Sequence, residues 1–183
     1  MAKLKDQSSV AARGLEFLIL TATRTSETIG ATWDEVDIDK AVWTIPAERT
    51  KTNTAQRVPL SDEALAVLKA RRGLSEVYIF PGQRRGRPLS NMAFLQLLKR
   101  MGRGDLTAHG FRSTFRDWAA ERTAYPNEVA EMALGHAISN RVEAAYRRGD
   151  LFDKRARMMA DWATYCGTAP IEAGGSNVVS LNG

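Results

Sequence analysis

Apolar positions along this chain recur mostly at helical spacing and switch to alternation in one central stretch. Leu15, Leu18, Ile19 and Ala22 make an apolar stripe over residues 10–22, with Ser8 or Ser9 available as its N-cap. Thr25 or Ser26 can cap a second, short helix through Thr28, Ile29 and Gly30. Then the period changes. Val36-Asp37-Ile38-Asp39 alternates, Lys40 turns, and Ala41-Val42-Trp43-Thr44-Ile45 alternates back until Pro46. A polar turn over residues 48–54 leads to a third strand, Gln56-Arg57-Val58-Pro59-Leu60, which closes a small antiparallel sheet. Lys51 falls at or near the tip of that second hairpin.

Helical spacing returns after residue 60. Ser61-Asp62-Glu63 opens a helix carrying Leu65 and Leu68. The short run Val77-Tyr78-Ile79-Phe80 suits an apolar strand with Tyr78 in the core. Ser90 can cap a helix with Phe94, Leu97, Leu98 and Met101 at i, i+3, i+4, i+7. Phe111, Phe115 and Trp118 form the core stripe of the next helix, which ends near Arg122. Pro126 suits the first turn of a helix through Leu134, and Gly135 suits its C′ position. A last helix over residues 151–165 carries Leu151, Met158, Trp162 and Tyr165. Residues 167–183, rich in Gly, Ala and Ser, read as a disordered tail. The pattern predicts one mainly α domain with a small three-stranded antiparallel β-sheet.

Composition changes this picture in few places. The chain has 183 residues, 44% of them apolar, enough for a real core. Its formal charge is +5 and its pI is near 9.6, which favours a polyanionic partner. Cys166 is the only cysteine, so no intrachain disulfide and no Cys-rich metal cluster can form. No run is long and apolar enough to span a membrane, and Met1 to Asp6 lacks a signal-peptide core, so the cytoplasm is the default location. The loop Gln83-Arg84-Arg85-Gly86-Arg87-Pro88 is basic. It suits either an exposed loop or contact with a nucleic-acid backbone.

The candidate chemistry gathers between residues 107 and 146. Both histidines of the chain lie there. His109 and Arg112 sit three apart, roughly 60° around a helix, so an imidazole and a guanidinium can share one rim. A guanidinium matches phosphate oxygens, and an imidazole moves protons near neutral pH. His136 directly follows Gly135. Arg24, at the junction of the first two helices, has Glu27 three residues on.

Taken together, these stretches resemble the catalytic domain of the tyrosine recombinases, specifically the prophage integrases. The resemblance runs from about Val10 to Tyr165. It is carried by Thr23-Arg24-Thr25-Ser26-Glu27, Trp33-Asp34-Glu35-Val36-Asp37, Trp43-Thr44-Ile45-Pro46, Thr50-Lys51, Val58-Pro59-Leu60-Ser61, His109-Gly110-Phe111-Arg112, Leu134-Gly135-His136 and Ala145-Tyr146-Arg147-Arg148, all in order. It implies a catalytic domain over residues 7–166, with the upstream core-site and arm-site DNA-binding domains of such proteins absent from this sequence. It implies six catalytic positions. Arg24 and Arg112 would clamp the scissile phosphate, and Lys51 would be the general acid. His109 would be the base, His136 a further donor, and Tyr146 the nucleophile, with Glu27 propping the site. Arg84, Arg85, Arg87 and Arg147 are the candidate DNA contacts.

Such a site transfers a phosphodiester through a covalent 3′-phosphotyrosine, so the resemblance implies no cofactor and no metal. The implied partner is double-stranded DNA carrying attachment sites. Self-association on the DNA, and host or phage DNA-bending factors, are further partners it implies, with the protein at the nucleoid when acting. Among the four tyrosines only Tyr146 is followed at once by arginines and preceded by His136 at ten residues. Two other activities fit the same residues. One is a type IB topoisomerase, which shares the clamp and the tyrosine. The other is a catalytically silent DNA-binding fragment.

Overall fold

The computed structural model describes residues 1–136 and 149–168. Helix α2 (Val10–Thr21) lies at its centre. Ser9 caps it by accepting from the Ala12 amide at 3.2 Å, and Ala22 ends it in the left-handed conformation. The stripe Leu15, Leu18, Ile19 and Ala22 faces one core cluster, while Phe17 and Leu20 face a second. An amphipathic helix was the expectation. This one is instead apolar on two opposite sides because packed layers cover both.

The first layer is helical. It holds α5 (Ala93–Arg100), α6 (Gly110–Arg122), α7 (Asn127–Ala133) and α8 (Phe152–Gly167). Phe94, Leu97, Phe115, Trp118, Val129, Met158 and Trp162 meet the α2 stripe. The Trp162 indole N–H, buried here, donates to the Ile19 carbonyl at 2.7 Å, so the ring's one polar atom is satisfied. A short helix α1 (Ala2–Lys5), ahead of the expected boundary at residue 7, packs Leu4 into the same cluster.

The second layer is the sheet with α4 (Asp62–Lys69), whose N-cap is Ser61. Strands β1 (Val36–Asp37), β2 (Val42–Ile45) and β3 (Gln56–Pro59) run antiparallel in that order, with Trp43 opposite Val58. β1 is shorter than its alternation suggested. Ile38, Asp39 and Lys40 form the turn instead, with the Lys40 N–H on the Asp37 carboxylate at 2.9 Å. Ahead of the strand, Trp33–Glu35 form a 3-10 turn whose Glu35 carboxylate accepts from the Trp43 indole N–H at 2.9 Å. Phe17 of α2 packs its ring 5.3 Å from Trp43 and 5.6 Å from Phe80, which ties this layer to the central helix. Truncating a ring buried this way costs about 3–5 kcal/mol.

Three local expectations shift. Tyr78 makes only an isolated bridge to Thr32 and is half-buried, while Ile79 and Phe80 take the core positions. The helix after Ser90 begins at Ala93. The last helix runs on to Gly167, and residues 169–183 lie outside the described residues. No described helix is long and apolar enough to cross a membrane.

Candidate active site

Helix α3 (Thr25–Ile29) begins with Arg24 itself as its N-cap residue, in place of the expected Thr25 or Ser26. Glu27 explains this. One carboxylate oxygen accepts from the Arg24 backbone N–H at 2.8 Å, and the other accepts from Arg24 Nη1 at 2.8 Å. Glu27 is only 1% exposed, so the pair is no solvated surface bridge. One carboxylate thus caps the helix and fixes the guanidinium beside it.

Arg112 lies on the inner face of α6 and is 5% exposed. Its Nη1 donates to the Ala22 carbonyl, and its Nη2 donates to the Leu134 carbonyl at 2.7 Å. Those carbonyls are the C-caps of α2 and α7, where helix dipoles are negative. Arg24 Nη2 donates to the next carbonyl, Gly135, at 3.2 Å. The two guanidiniums are therefore registered to each other through consecutive carbonyls at the end of α7. Burial pushes the Arg112 guanidinium down to about 10; the Arg24 charge adds to this, and Glu27 opposes it. Among the described residues Glu27 is the one carboxylate bonded to either arginine, so two cations share one anion. Such a centre attracts an oxyanion.

The end of α7 is a Schellman motif. The Gly135 N–H donates to the Met132 carbonyl at 3.1 Å, and the His136 N–H donates to the Glu131 carbonyl at 3.0 Å. Gly135 has φ +63°, which a glycine adopts without strain. The motif brings the C3 and C″ side chains together, here Glu131 and His136. His136 Nδ1 lies 2.7 Å from Glu131 Oε2, and an ionised carboxylate only accepts, so Nδ1 carries the hydrogen. Burial would raise the Glu131 carboxyl, but hydrogen bonds from His136 and Arg116 outweigh it and hold the group below its ordinary range. Nε2 of the same ring lies 3.4 Å from Arg112 Nη2. Once protonated, the ring offers Nε2–H next to the Arg112 fork.

The imidazole that meets Arg112 is thus His136, whereas the spacing of His109 and Arg112 suggested that those two share a rim. Arg112 points into the core from α6, and His109 sits exposed at that helix's N-cap with no side-chain cap bond. Lys51 is exposed in the β2–β3 turn. Arg84, Arg85 and Arg87 are exposed in a turn closed by the Gly82 N–H on the Arg87 carbonyl at 2.8 Å. Tyr146 and Arg147 lie outside the described residues.

Several contributors escaped sequence reasoning. Glu131 is one, although its C3 position before a histidine at C″ was a usable signal. Gln56 is another. Its Nε2 donates to the Ala133 carbonyl at 3.2 Å, seating β3 against the end of α7. Arg155 is a third, only 2% exposed. It donates from Nε to the Asp150 carbonyl, from Nη2 to the Asp150 carboxylate, both at 2.7 Å, and from Nη1 to the Arg57 carbonyl. The spacing along α8 sets that arginine on the buried face, at i, i+3, i+4 and i+7 with Met158, Met159 and Trp162, and only the facing strand shows which acceptors it meets.

A family profile described as the phage integrase family matches residues 1–151. Among curated proteins, the chain is 40% identical to "Prophage integrase IntA" of Escherichia coli (strain K12) over 79% of its own length and 36% of the relative's. It is 32% identical to the "Integrase" of Enterobacteria phage P4, over 80% of its length and 38% of the relative's. The chain therefore spans little more than a third of these relatives. Among solved structures it resembles the XerA recombinase, with TM-score 0.56 and 16% identity, over 89% of this chain and 63% of that one. That likeness bears on the fold alone.

Proposed function

The chain belongs to the phage integrase family, and on that premise we propose that it is the catalytic domain of a site-specific DNA recombinase that works through a covalent 3′-phosphotyrosine. The observation that carries this reading is the pair Arg24 and Arg112. Arg24 is held by Glu27 and the Gly135 carbonyl, Arg112 by the Ala22 and Leu134 carbonyls, and His136 stands beside Arg112. Phosphoryl transfer leaves most of the catalytic work to positioning and charge stabilisation. A fixed fork costs little reorganisation when charge builds on the non-bridging oxygens.

In this reading Tyr146 Oη attacks the scissile phosphorus and its proton passes to His109. The bond from phosphorus to the 5′ oxygen breaks, and Lys51 protonates that leaving oxygen. A free phenol has a pKa of about 10, so the base and the cationic surroundings both assist. Religation reverses each transfer, and the phosphotyrosine conserves the bond, so no nucleotide cofactor is consumed. The basic loop of Arg84, Arg85 and Arg87 would contact phosphates, which position a protein on DNA without reading its bases. The partners are then attachment-site DNA and further copies of the protein on it.

The test is a nicked suicide duplex, from which the short fragment bearing the freed 5′ hydroxyl diffuses away after cleavage, so that the adduct is trapped. A covalent protein–DNA band is expected from the native chain and none from Tyr146→Phe. An adduct that peptide sequencing places on Tyr78, Tyr125 or Tyr165 would overturn the assignment.

A further inference from the structure

Lys51 has to reach a leaving oxygen, yet its turn is poorly attached to the body. Thr50 Oγ1 accepts the Thr54 N–H at 3.1 Å and lies within donating distance of both the Thr54 carbonyl, at 2.9 Å, and the Ala47 carbonyl, at 3.0 Å, so the turn closes on Thr50. Asn53 adds a left-handed φ of 51°. Among the described residues the hydrogen bonds of 51–54 reach no further than Thr50, whose own N–H donates to the Ala47 carbonyl at 3.1 Å. The anchor before Lys51 is Arg49, and the anchor after it is Gln56, paired with Ile45.

Arg49 is bound at both ends of its fork. Nη1 pairs with Glu35 Oε1, while Glu35 Oε2 accepts from the Trp43 indole N–H. Nη2 donates to the Glu27 backbone carbonyl. The guanidinium lies so close to α3 that a Cβ at Gly30 would stand 3.0 Å from Nη2. Glu27 is therefore a junction. Its side chain holds Arg24, and its backbone holds Arg49, two residues from Lys51.

We infer that Arg49 is a positioning residue for the general acid: by bridging Glu35 and the Glu27 carbonyl, it holds the Lys51 turn in register with the arginine clamp. The inference rests on the reading of Lys51 as the acid that protonates the 5′ oxygen. Its pair with Glu35 alone would be a structural feature. The second bond, to the residue that fixes Arg24, joins the turn to the clamp.

The test compares two suicide duplexes, one with the natural 5′ oxygen at the scissile phosphate and one with sulfur there. A thiolate leaves without a proton, so the sulfur substrate does not need the acid. Lys51→Ala should be slow on oxygen and near native on sulfur. Arg49→Gln should follow it, about 10²-fold slow on oxygen, since a misplacement of an ångström costs that much, and within about threefold of native on sulfur. Arg49→Lys, which keeps the charge but loses the fork, should do the same if Arg49→Gln fails to fold. An Arg49 variant equally slow on both substrates, with Lys51→Ala rescued, overturns the positioning role and leaves the acid intact. A Lys51→Ala variant not rescued by sulfur overturns the acid reading instead. One readout needs no catalysis. Cutting after Lys51 by a lysine-specific protease, mapped by mass spectrometry, should accelerate about tenfold in Arg49→Gln relative to the other sites. An unchanged rate refutes the tether.

Discussion

Replacing Gly135 by alanine strikes the point where three parts of the site meet. Its carbonyl accepts Arg24, the preceding carbonyl accepts Arg112, and the following residue is His136. Two costs are worked from the geometry. The first is conformational. A φ of +63° with a Cβ present costs about 1–2 kcal/mol. The second is steric. The new Cβ would stand 2.2 Å from Gln56 Oε1 and 2.8 Å from its Cδ, so that side chain must move. Its end is flexible and can swing clear, but it then loses its bond to the Ala133 carbonyl, worth about 1 kcal/mol. The sum is about 2–3 kcal/mol. Urea unfolding of the native chain, Gly135→Ala, Gln56→Ala and the double variant separates the terms. Gln56→Ala should cost about 1 kcal/mol. The double variant should cost less than the two singles added, because the clash and the lost bond are the same event. Strict additivity, or a Gly135→Ala cost below about 0.5 kcal/mol, the scatter of an ordinary surface change, would refute this account of the α7 terminus.

The other expectations are shorter. Arg112→Lys keeps the charge but cannot serve two helix ends at once, so single-turnover cleavage of the suicide duplex should fall about 10²–10³-fold; a native rate would refute the clamp. Glu131 has its carboxyl held low in the folded state, so its contribution to stability is present above the ordinary value of 4.5 and is lost as pH falls through the folded value. Urea unfolding at pH 6 and pH 3.5 should therefore show a smaller acid loss in Glu131→Gln than in the native chain; equal losses would remove Glu131 from the acid limb. Replacing Arg84, Arg85 and Arg87 together by glutamine should reduce the slope of log affinity against log salt by up to about 2.7, at roughly 0.9 per phosphate contact, as read from salt titrations of duplex binding. An unchanged slope would place that loop off the DNA.

How much could be read from the chain alone follows from the range of the interactions. Element types were legible because they are local. Ser9 and Ser61 cap where they stand, Gly135 supplies a left-handed residue, and Phe115 and Trp118 recur on one face of α6. The six residues proposed for the site were suggested only by ordered motifs that resemble a family, which name positions and leave their contacts open. Tertiary structure decided which faces are inside. α2 looked one-sided until a sheet covered its second face, and Arg112 looked like a rim residue until two helix termini closed over it. It also chose the partner of that guanidinium. His109 is near Arg112 in sequence, but His136 is near it in space, because the α7 terminus packs against α6. Arg49 and Arg155 reach acceptors 22 and 98 residues away. No periodicity encodes such contacts, since a buried guanidinium is defined by carbonyls that other segments deliver, and only the folded chain brings them together.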